Sequence, residues 1–333
     1  MSTGTWVAAL AKAGVLALTR GILPSKVWIL LPEQTWVQVP VKVRLSQNKA
    51  LAYAQKDGGD DPDVTHGLWM VCRLSLRQDT AICFCPSKGL GIITKPGLSM
   101  PVGEVAINPV PRKMICAAVR QIFSGGVNIE VIIPKGQKIA NKTFNPRLGI
   151  KGGISILGTT GRVRPFSLDA IQETIRLHLK SLLTQGQKNI VLVPGNLGRK
   201  GAKRLGFSQE IVEVSNEWDT AFAFLAKYSI HKLVIIGHPG KLFKFILGYF
   251  NTHSKKSPSA VPVLENFLAS KWQLTVKLNT VEQGLKLLTK QQKIILSQEL
   301  GNQVIQSIQK RYHLSCPIDV FFIDYSAQIL NFS

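Results

Sequence analysis

The segment Lys56 to Thr65, KDGGDDPDVT, places four carboxylates, Asp57, Asp60, Asp61 and Asp63, within seven positions of a chain in which 41 basic residues face 19 acidic ones. Two glycines and a proline divide them, so the like charges meet in a folded loop rather than on a solvated helical face. An Asx-rich surface turn would account for that composition. A cation site, a general base or a loop that positions a ligand would account for it equally. The spacing is not that of an EF-hand loop, and no dedicated metal site is expected.

A second set of residues carries the opposite charge. Arg199, Lys200 and Lys203 follow the apolar run Ile190 to Val193, and Lys241 and Lys244 follow Leu233 to Ile236. Cations at the start of a helix oppose its dipole, at a cost of about 0.3 to 1 kcal/mol each. An anion that takes both the free backbone N–H groups and the ammonium groups would reverse that sign. Gly195, Gly198 and Gly201 lack the GxGxxG spacing of a nicotinamide site, and GISILGTT (153–160) has Thr159 where a phosphate loop needs lysine. Both motifs are set aside. His238 and His253 would sit ~15 Å apart across a helix of about ten residues, too far to share a metal. His66, His178, His231 and His313 are isolated.

Composition narrows the partners. A formal charge of +22 calls for an anionic one, nucleic acid or a polycarboxylate small molecule. The basic residues are spread along the chain, with no continuous run and no interleaved basic and aromatic motif, which disfavours nucleic acid. Cys72, Cys83, Cys85, Cys116 and Cys316 are odd in number and lack zinc-type pairing. They point to a reducing cytoplasm. No apolar stretch reaches the ~20 residues that span a bilayer. Trp6 to Leu18 is apolar but interrupted by Lys12, and reads as a buried first helix rather than a signal peptide.

These residues need elements to hold them. A length of 333 residues favours two domains, divided near Gly161 to Pro165. Before the divide, short extended runs (Lys26 to Leu31, Thr35 to Leu45, Leu68 to Arg77, Thr80 to Cys85, Gly91 to Thr94, Val127 to Ile133) and helices near Thr5 to Thr19 and Pro111 to Phe123 form an α+β pattern. After it, Ser167 caps a helix whose apolar spacing runs through Ile171, Ile175 and Leu179, and Gly186 ends it. Strands at Ile190 to Val193, Ile211 to Val214, Leu233 to Ile236 and Val320 to Ile323 then alternate with helices. That rhythm predicts a doubly wound α/β domain with a small parallel sheet. Ligands of such sheets sit beyond the carboxyl ends of the strands. Pro194-Gly195-Asn196, Ser215-Asn216-Glu217, Gly237-His238-Pro239-Gly240 and Asp324 lie there.

The long segments STGTWVAALAKA (2–13), KDGGDDPDVTHG (56–67), GLGIITKPGLSMPVGEVAINPVPRKMI (89–115), TFNPRLGIKGGISILGTTGRVRPFS (143–167), VPGNLG (193–198) and GHPGKLFKFILGYFNTHS (237–254) carry a resemblance over nearly the whole chain. In order and spacing they resemble the cobalt-precorrin-5B C1-methyltransferase family of anaerobic cobalamin synthesis. The resemblance implies methyl transfer from S-adenosylmethionine to a ring carbon of a polycarboxylate corrinoid, with cobalt present only inside that substrate. It also implies an α+β domain over residues 1–165 resembling a permuted ribosomal S5 second domain, and a Rossmann-like domain over 166–333. On fold analogy, Gly195, Asn196, Asn216, Gly237 and His238 would take the donor. Lys241, Lys244, Arg199, Arg147, Gly158, Thr159, Thr160 and His253 would meet the corrinoid. Glycines 152, 153, 158 and 161 would let a flat macrocycle or the donor approach the main chain. Asp57 and Asp61 would face the donor's cation or take a ring proton. Partners would be the corrinoid and neighbouring enzymes of the pathway. The chain departs from the family pattern at Trp6, which stands in place of a cysteine, at Asn216 to Thr220, and after Ser254, where Glu265 is the remaining counterpart of an acidic run. A non-catalytic corrinoid carrier and a basic RNA-binding protein on the same fold are the alternatives.

Overall fold

The computed structural model describes residues 1–59, 64–162 and 168–330. Asp60, Asp61, Asp63, Pro165 and Ser167 lie outside the described residues. The chain forms two compact units, Met1–Ser167 and Leu168–Ser333.

The first unit runs α1 (Thr3–Arg20), β1 (Lys26–Leu30), β2 (Trp36–Pro40), β3 (Lys42–Ser46), β4 (Lys49–Gln55), β5 (Trp69–Arg77), β6 (Ile82–Cys85), β7 (Gly89–Leu90), β8 (Ile92–Ile93), α2 (Pro109–Arg120), β9 (Gly126–Ile132), α3 (Gly136–Ala140), β10 (Ile150–Lys151) and β11 (Gly153–Ile154). Its main sheet has the order β3-β4-β5-β9-β6, antiparallel except where β6 joins β9. Period-two patterning decides which face is inside. Ala52, Cys72 and Val131 share a register row and are buried, with Ala50, Leu74 and Ile129 in the next. These small and branched side chains let α1 lie close on the sheet, as the shared core of Trp6, Leu10, Ala13, Ala52, Cys72 and Leu74 shows. The buried first helix expected from Trp6 to Leu18 is therefore found. β4 was not foreseen, because its buried positions, Ala50, Ala52 and Ala54, are alanines and give little hydrophobic contrast.

Of the glycines expected to receive a ligand, Gly153 lets backbone meet backbone, and Gly158 and Gly161 let side chains close on the main chain. A Cβ on Gly153 would stand 2.0 Å from the carbonyl oxygen of Gly89, its parallel partner, and one on Gly136 would stand 2.1 Å from the same oxygen. At Gly158, a Cβ would meet Ser2 Oγ at 2.3 Å, and at Gly161 it would meet Leu31 at 2.6 Å. Of those four expected glycines, Gly152 alone leaves such an atom room, its nearest neighbour lying 3.9 Å away.

The second unit runs α4 (Leu168–Thr184), β12 (Asn189–Val193), α5 (Asn196–Arg204), β13 (Ile211–Glu213), α6 (Trp218–Leu225), β14 (Lys232–Gly237), α7 (Pro239–Leu242), a 3-10 turn (Phe243–Phe245), α8 (Val261–Trp272), α9 (Val281–Lys286), α10 (Lys290–Tyr312) and β15 (Ile318–Phe322). All four strands are parallel, in the order β13-β12-β14-β15. Both faces are covered, so the middles of β12 and β14 are unbroken apolar runs. Ile190, Leu192, Leu233 and Ile235 pack with residues of α4, α6, α8 and α10, while Val191, Val193, Val234 and Ile236 pack with Ala202 and Leu197 of α5. From β12 the chain passes to β13 on one side, then crosses back to β14 on the other. That reversal opens a crevice beyond the carboxyl ends of β12 and β14.

Candidate functional site

A cavity of about 770 Å³ lies at that crevice, entirely within the second unit. Its volume falls in the range of small-molecule sites, roughly 300 to 1,000 Å³.

The wall from β12 is the turn Pro194-Gly195-Asn196. Gly195 has φ 154°, a backbone conformation that disfavours a side chain even though a Cβ there would meet nothing within 4 Å. Gly198 serves packing, since a Cβ would lie 2.7 Å from Pro194 and 2.9 Å from Val193. No side chain caps α5, so its first-turn amides remain available to a ligand.

The opposite wall joins three segments through Asn216. Asn216 Oδ1 accepts from the Lys241 ammonium at 2.5 Å and from the Thr252 hydroxyl at 3.0 Å, and the Asn216 carbonyl accepts the Thr252 N–H at 3.1 Å. Beside it, the buried Glu217 carboxylate accepts from the side-chain amides of Asn251 at 2.5 Å and Gln172 at 3.0 Å. Lys244 is buried, and its ammonium donates to the Thr252 carbonyl at 3.2 Å and Ser257 Oγ at 2.9 Å. Burial holds the Lys241 amine below its ordinary range, and the charge of Lys244 adds to this. Burial lowers Lys244 as well. Two hard-to-charge amines at one cavity make a place where an incoming anion is favoured.

His238 caps α7, its Nδ1 accepting the Gly240 N–H at 3.0 Å. That leaves the proton on Nε2, which meets Glu282 Oε2 at 3.0 Å. The imidazole stacks on Tyr325 with centroids 4.3 Å apart.

The cavity gathers Gly195, Asn196, Asn216, His238, Lys241, Lys244 and His253 of the residues singled out from sequence. His238 and His253 both line this cavity. The expected ten-residue helix between them is a four-residue α turn followed by a 3-10 turn, after which Gly248, at φ 81°, reverses the chain. Gly237 is buried at the end of β14 beneath Leu242 and does not line the cavity. Arg199 does not line it either; its guanidinium pairs with Glu213 at the end of β13. Glu265 accepts the Leu278 N–H at 2.7 Å.

The other candidates belong to the first unit. Asp57 is exposed, closes an Asx turn onto the Gly59 N–H at 2.8 Å, and lies 3.9 Å from His66 Nδ1, which accepts the Gly58 N–H. Asp61 lies outside the described residues. The Arg147 guanidinium sits over the Phe144 ring. Gly158, Thr159 and Thr160 lie beside the start of α1, where the Ser2 N–H and the Thr5 hydroxyl both donate to the Gly161 carbonyl and the Gly4 N–H donates to Leu157. Trp6 is a core residue, and its indole N–H is buried without an acceptor among the described residues. Sequence reasoning missed Glu282, which lies 28 positions beyond the last long motif at 237–254, and Tyr325, which directly follows Asp324. An acid in a first helical turn is favoured by the dipole anyway, so Glu282 carries no distinguishing signal. Among the described residues, no group of three or more His, Cys, Asp or Glu could hold a metal ion, and no helix is long and apolar enough to cross a membrane.

The family model of CbiD matches residues 1–165. A curated relative from Syntrophotalea carbinolica, cobalt-precorrin-5B C(1)-methyltransferase, is 38% identical over 99% of this chain and 95% of its own. Relatives of the same name from Desulfitobacterium hafniense and Thermoanaerobacter sp. are 43% and 34% identical, over 79% and 95% of this chain and 69% and 87% of theirs. The crystal structure of a cobalamin biosynthesis protein (cbiD) from Archaeoglobus fulgidus, 25% identical, covers 77% of this chain and 82% of that one with a TM-score of 0.41, too low to support a fold assignment. With one relative matched from end to end at 38% identity, the chain belongs to the CbiD family, that of the cobalt-precorrin-5B C(1)-methyltransferases.

Proposed function

We propose that the protein methylates C1 of cobalt-precorrin-5B using S-adenosylmethionine, with cobalt entering as part of the substrate. The observation that carries this reading is the 38% identity, over 99% of the chain, to a protein of that name. The cavity supports placing the donor in the second unit, read as a Rossmann-like domain; the first unit is read as the S5-like one.

When bound, S-adenosylmethionine supplies a methyl group on a sulfonium, open to in-line displacement by a ring carbon. The chain's part is positioning more than proton transfer. The uncapped amides of α5 and the Asn196 side chain orient polar groups of the donor. Lys241 and Lys244 hold a carboxylate, and Asn216 fixes the Lys241 amine by hydrogen bonding it. The +22 charge steers the polyanionic macrocycle toward the protein. Asp57 and Asp61 are assigned to the donor's cation or a ring proton, Arg147, Gly158, Thr159 and Thr160 to the macrocycle, and Arg199, Gly237 and His253 to support around the cavity. The reaction is placed in the cytoplasm, which suits five free cysteines.

Incubating the protein with cobalt-precorrin-5B and S-adenosylmethionine, followed by mass spectrometry, should show one added methyl group and release of S-adenosylhomocysteine. Corrinoid binding without methyl transfer would replace this reading with that of a carrier. RNA binding that weakens steeply with salt, with no corrinoid affinity, would replace it with that of a nucleic-acid protein.

A further inference from the structure

Glu282 is the one carboxylate among the described residues that line the cavity. Of the other acids at the carboxyl edge of the sheet, Glu213 pairs with Arg199, Glu217 accepts from Asn251 and Gln172, and Asp324 accepts the N–H groups of Ser326 and Gln328. Glu282 is held differently. Its Oε2 accepts the Nε2–H of a histidine whose other nitrogen is occupied by a backbone N–H, so its partner is a neutral imidazole and the negative charge stays in the cavity. Oε1 has no partner among the described residues. Neither lysine of the cavity pairs with it, because their ammonium groups are engaged by Asn216, Thr252 and Ser257. The cavity therefore keeps an open carboxylate and two amines uncancelled, which suits a ligand that carries a hydrogen-bond donor and an anion in one molecule.

Tyr325 decides what kind of donor. Its ring also lines the cavity, with one face lying on His238 at an interplanar angle of 14° while the residue is 66% exposed. A flat aromatic surface beside a carboxylate is suited to a nucleoside, whose base stacks while the adjoining ribose offers two hydroxyl donors. An ammonium group would satisfy Glu282 and be attracted to the ring, but it offers no flat face to stack there.

We infer that Glu282 and Tyr325 form a nucleoside subsite in which the carboxylate accepts the ribose hydroxyls and the phenol ring faces the purine, with Lys241 and Lys244 meeting the carboxylate at the other end of the ligand. This rests on the donor occupying the cavity. The test is calorimetric titration of the full chain with S-adenosylhomocysteine and with its 2′-deoxyribose analogue. The parent compound should bind about tenfold or more tightly than the deoxy analogue, the usual scale for a hydrogen bond to a charged acceptor. Glu282→Gln should weaken the parent and shrink the gap to about threefold or less. Tyr325→Phe should bind normally, while Tyr325→Ala should weaken both ligands alike. No binding of S-adenosylhomocysteine to the wild type would overturn the donor placement itself. Binding with no discrimination between the two sugars in the wild type would overturn the Glu282 assignment alone, and needs no variant to fold. A gap that persists in Glu282→Gln would overturn it as well.

Discussion

Replacing Lys244 by methionine sets two opposing effects against each other. Methionine keeps most of the alkyl volume but removes the donor to the Thr252 carbonyl and to Ser257 Oγ. Ser257 retains its bond to the His253 carbonyl at 3.0 Å, so the carbonyl of Thr252 is the group left wanting, at about 1 to 3 kcal/mol. Against this, the variant no longer buries an ammonium, whose desolvation costs several kcal/mol. The two nearly cancel near neutral pH, so the variant should fold within about 2 kcal/mol of the wild type. The signature lies in the pH dependence. Burial lowers the Lys244 pKa, so the folded chain releases this proton before the unfolded one does. Between the lowered folded value and 10.5, the unfolded state binds more protons, and wild-type stability rises with pH, by at most ~1.4 kcal/mol per pH unit for one proton. Methionine abolishes that rise and also relieves Lys241 of the charge that lowers it. The stability advantage of the wild type over the variant should therefore grow from neutral pH toward 10.5. Buried Cys316, whose thiol is pushed up, drives stability the other way but is common to both proteins and cancels in the difference. Urea unfolding at several pH values, resolved for the second unit by hydrogen exchange in β14, measures it. A difference that stays flat or narrows with rising pH would refute the reasoning.

Adjacent glycines should fail for different reasons. Gly153→Ala inserts a Cβ against the Gly89 carbonyl and should cost about 1 to 3 kcal/mol or more. Gly152→Ala meets open space at φ 85° and should cost about 1 to 2 kcal/mol, which asparagine at 152, but not at 153, should largely recover; thermal unfolding of the four variants separates the cases. Arg199→Ala removes the cation that pairs with the half-buried Glu213 carboxylate and should destabilise the second unit by about 1 to 3 kcal/mol. The double replacement of Arg199 and Glu213 by leucine should return most of that loss in a thermal melt.

The second unit was the more legible in sequence because its strands are buried on both faces: Ile190 to Val193 and Leu233 to Ile236 are unbroken apolar runs whose carboxyl ends mark the crevice. In the first unit, β4 hides behind alanines, and the glycines near Gly153 resemble ligand contacts until the strand they touch is known. The cavity residues next to β12 and β14 were legible, since topology fixes them. Lys241 fits that pattern while Arg199 does not, because local spacing cannot tell which cation finds an internal carboxylate such as Glu213. Glu282 reaches the cavity only through the packing of α9, which no local motif encodes, while Tyr325 follows Asp324 at a strand end that topology does fix.

The ties between the start of α1 and residues 157–161 govern how the protein emerges from the ribosome. Thr3 and Thr5 bond to residues 154 and 156 positions later, so the first helix made is among the last to be completed. At roughly 5 to 20 residues per second, that partner segment is synthesised about 8 to 30 s after the helix. Through that interval an alanine-rich helix can already rest on β4, β5 and α2, while its first turn waits for its carbonyl partners. Completion of the first unit therefore waits on residues 157–161, near the end of its own sequence.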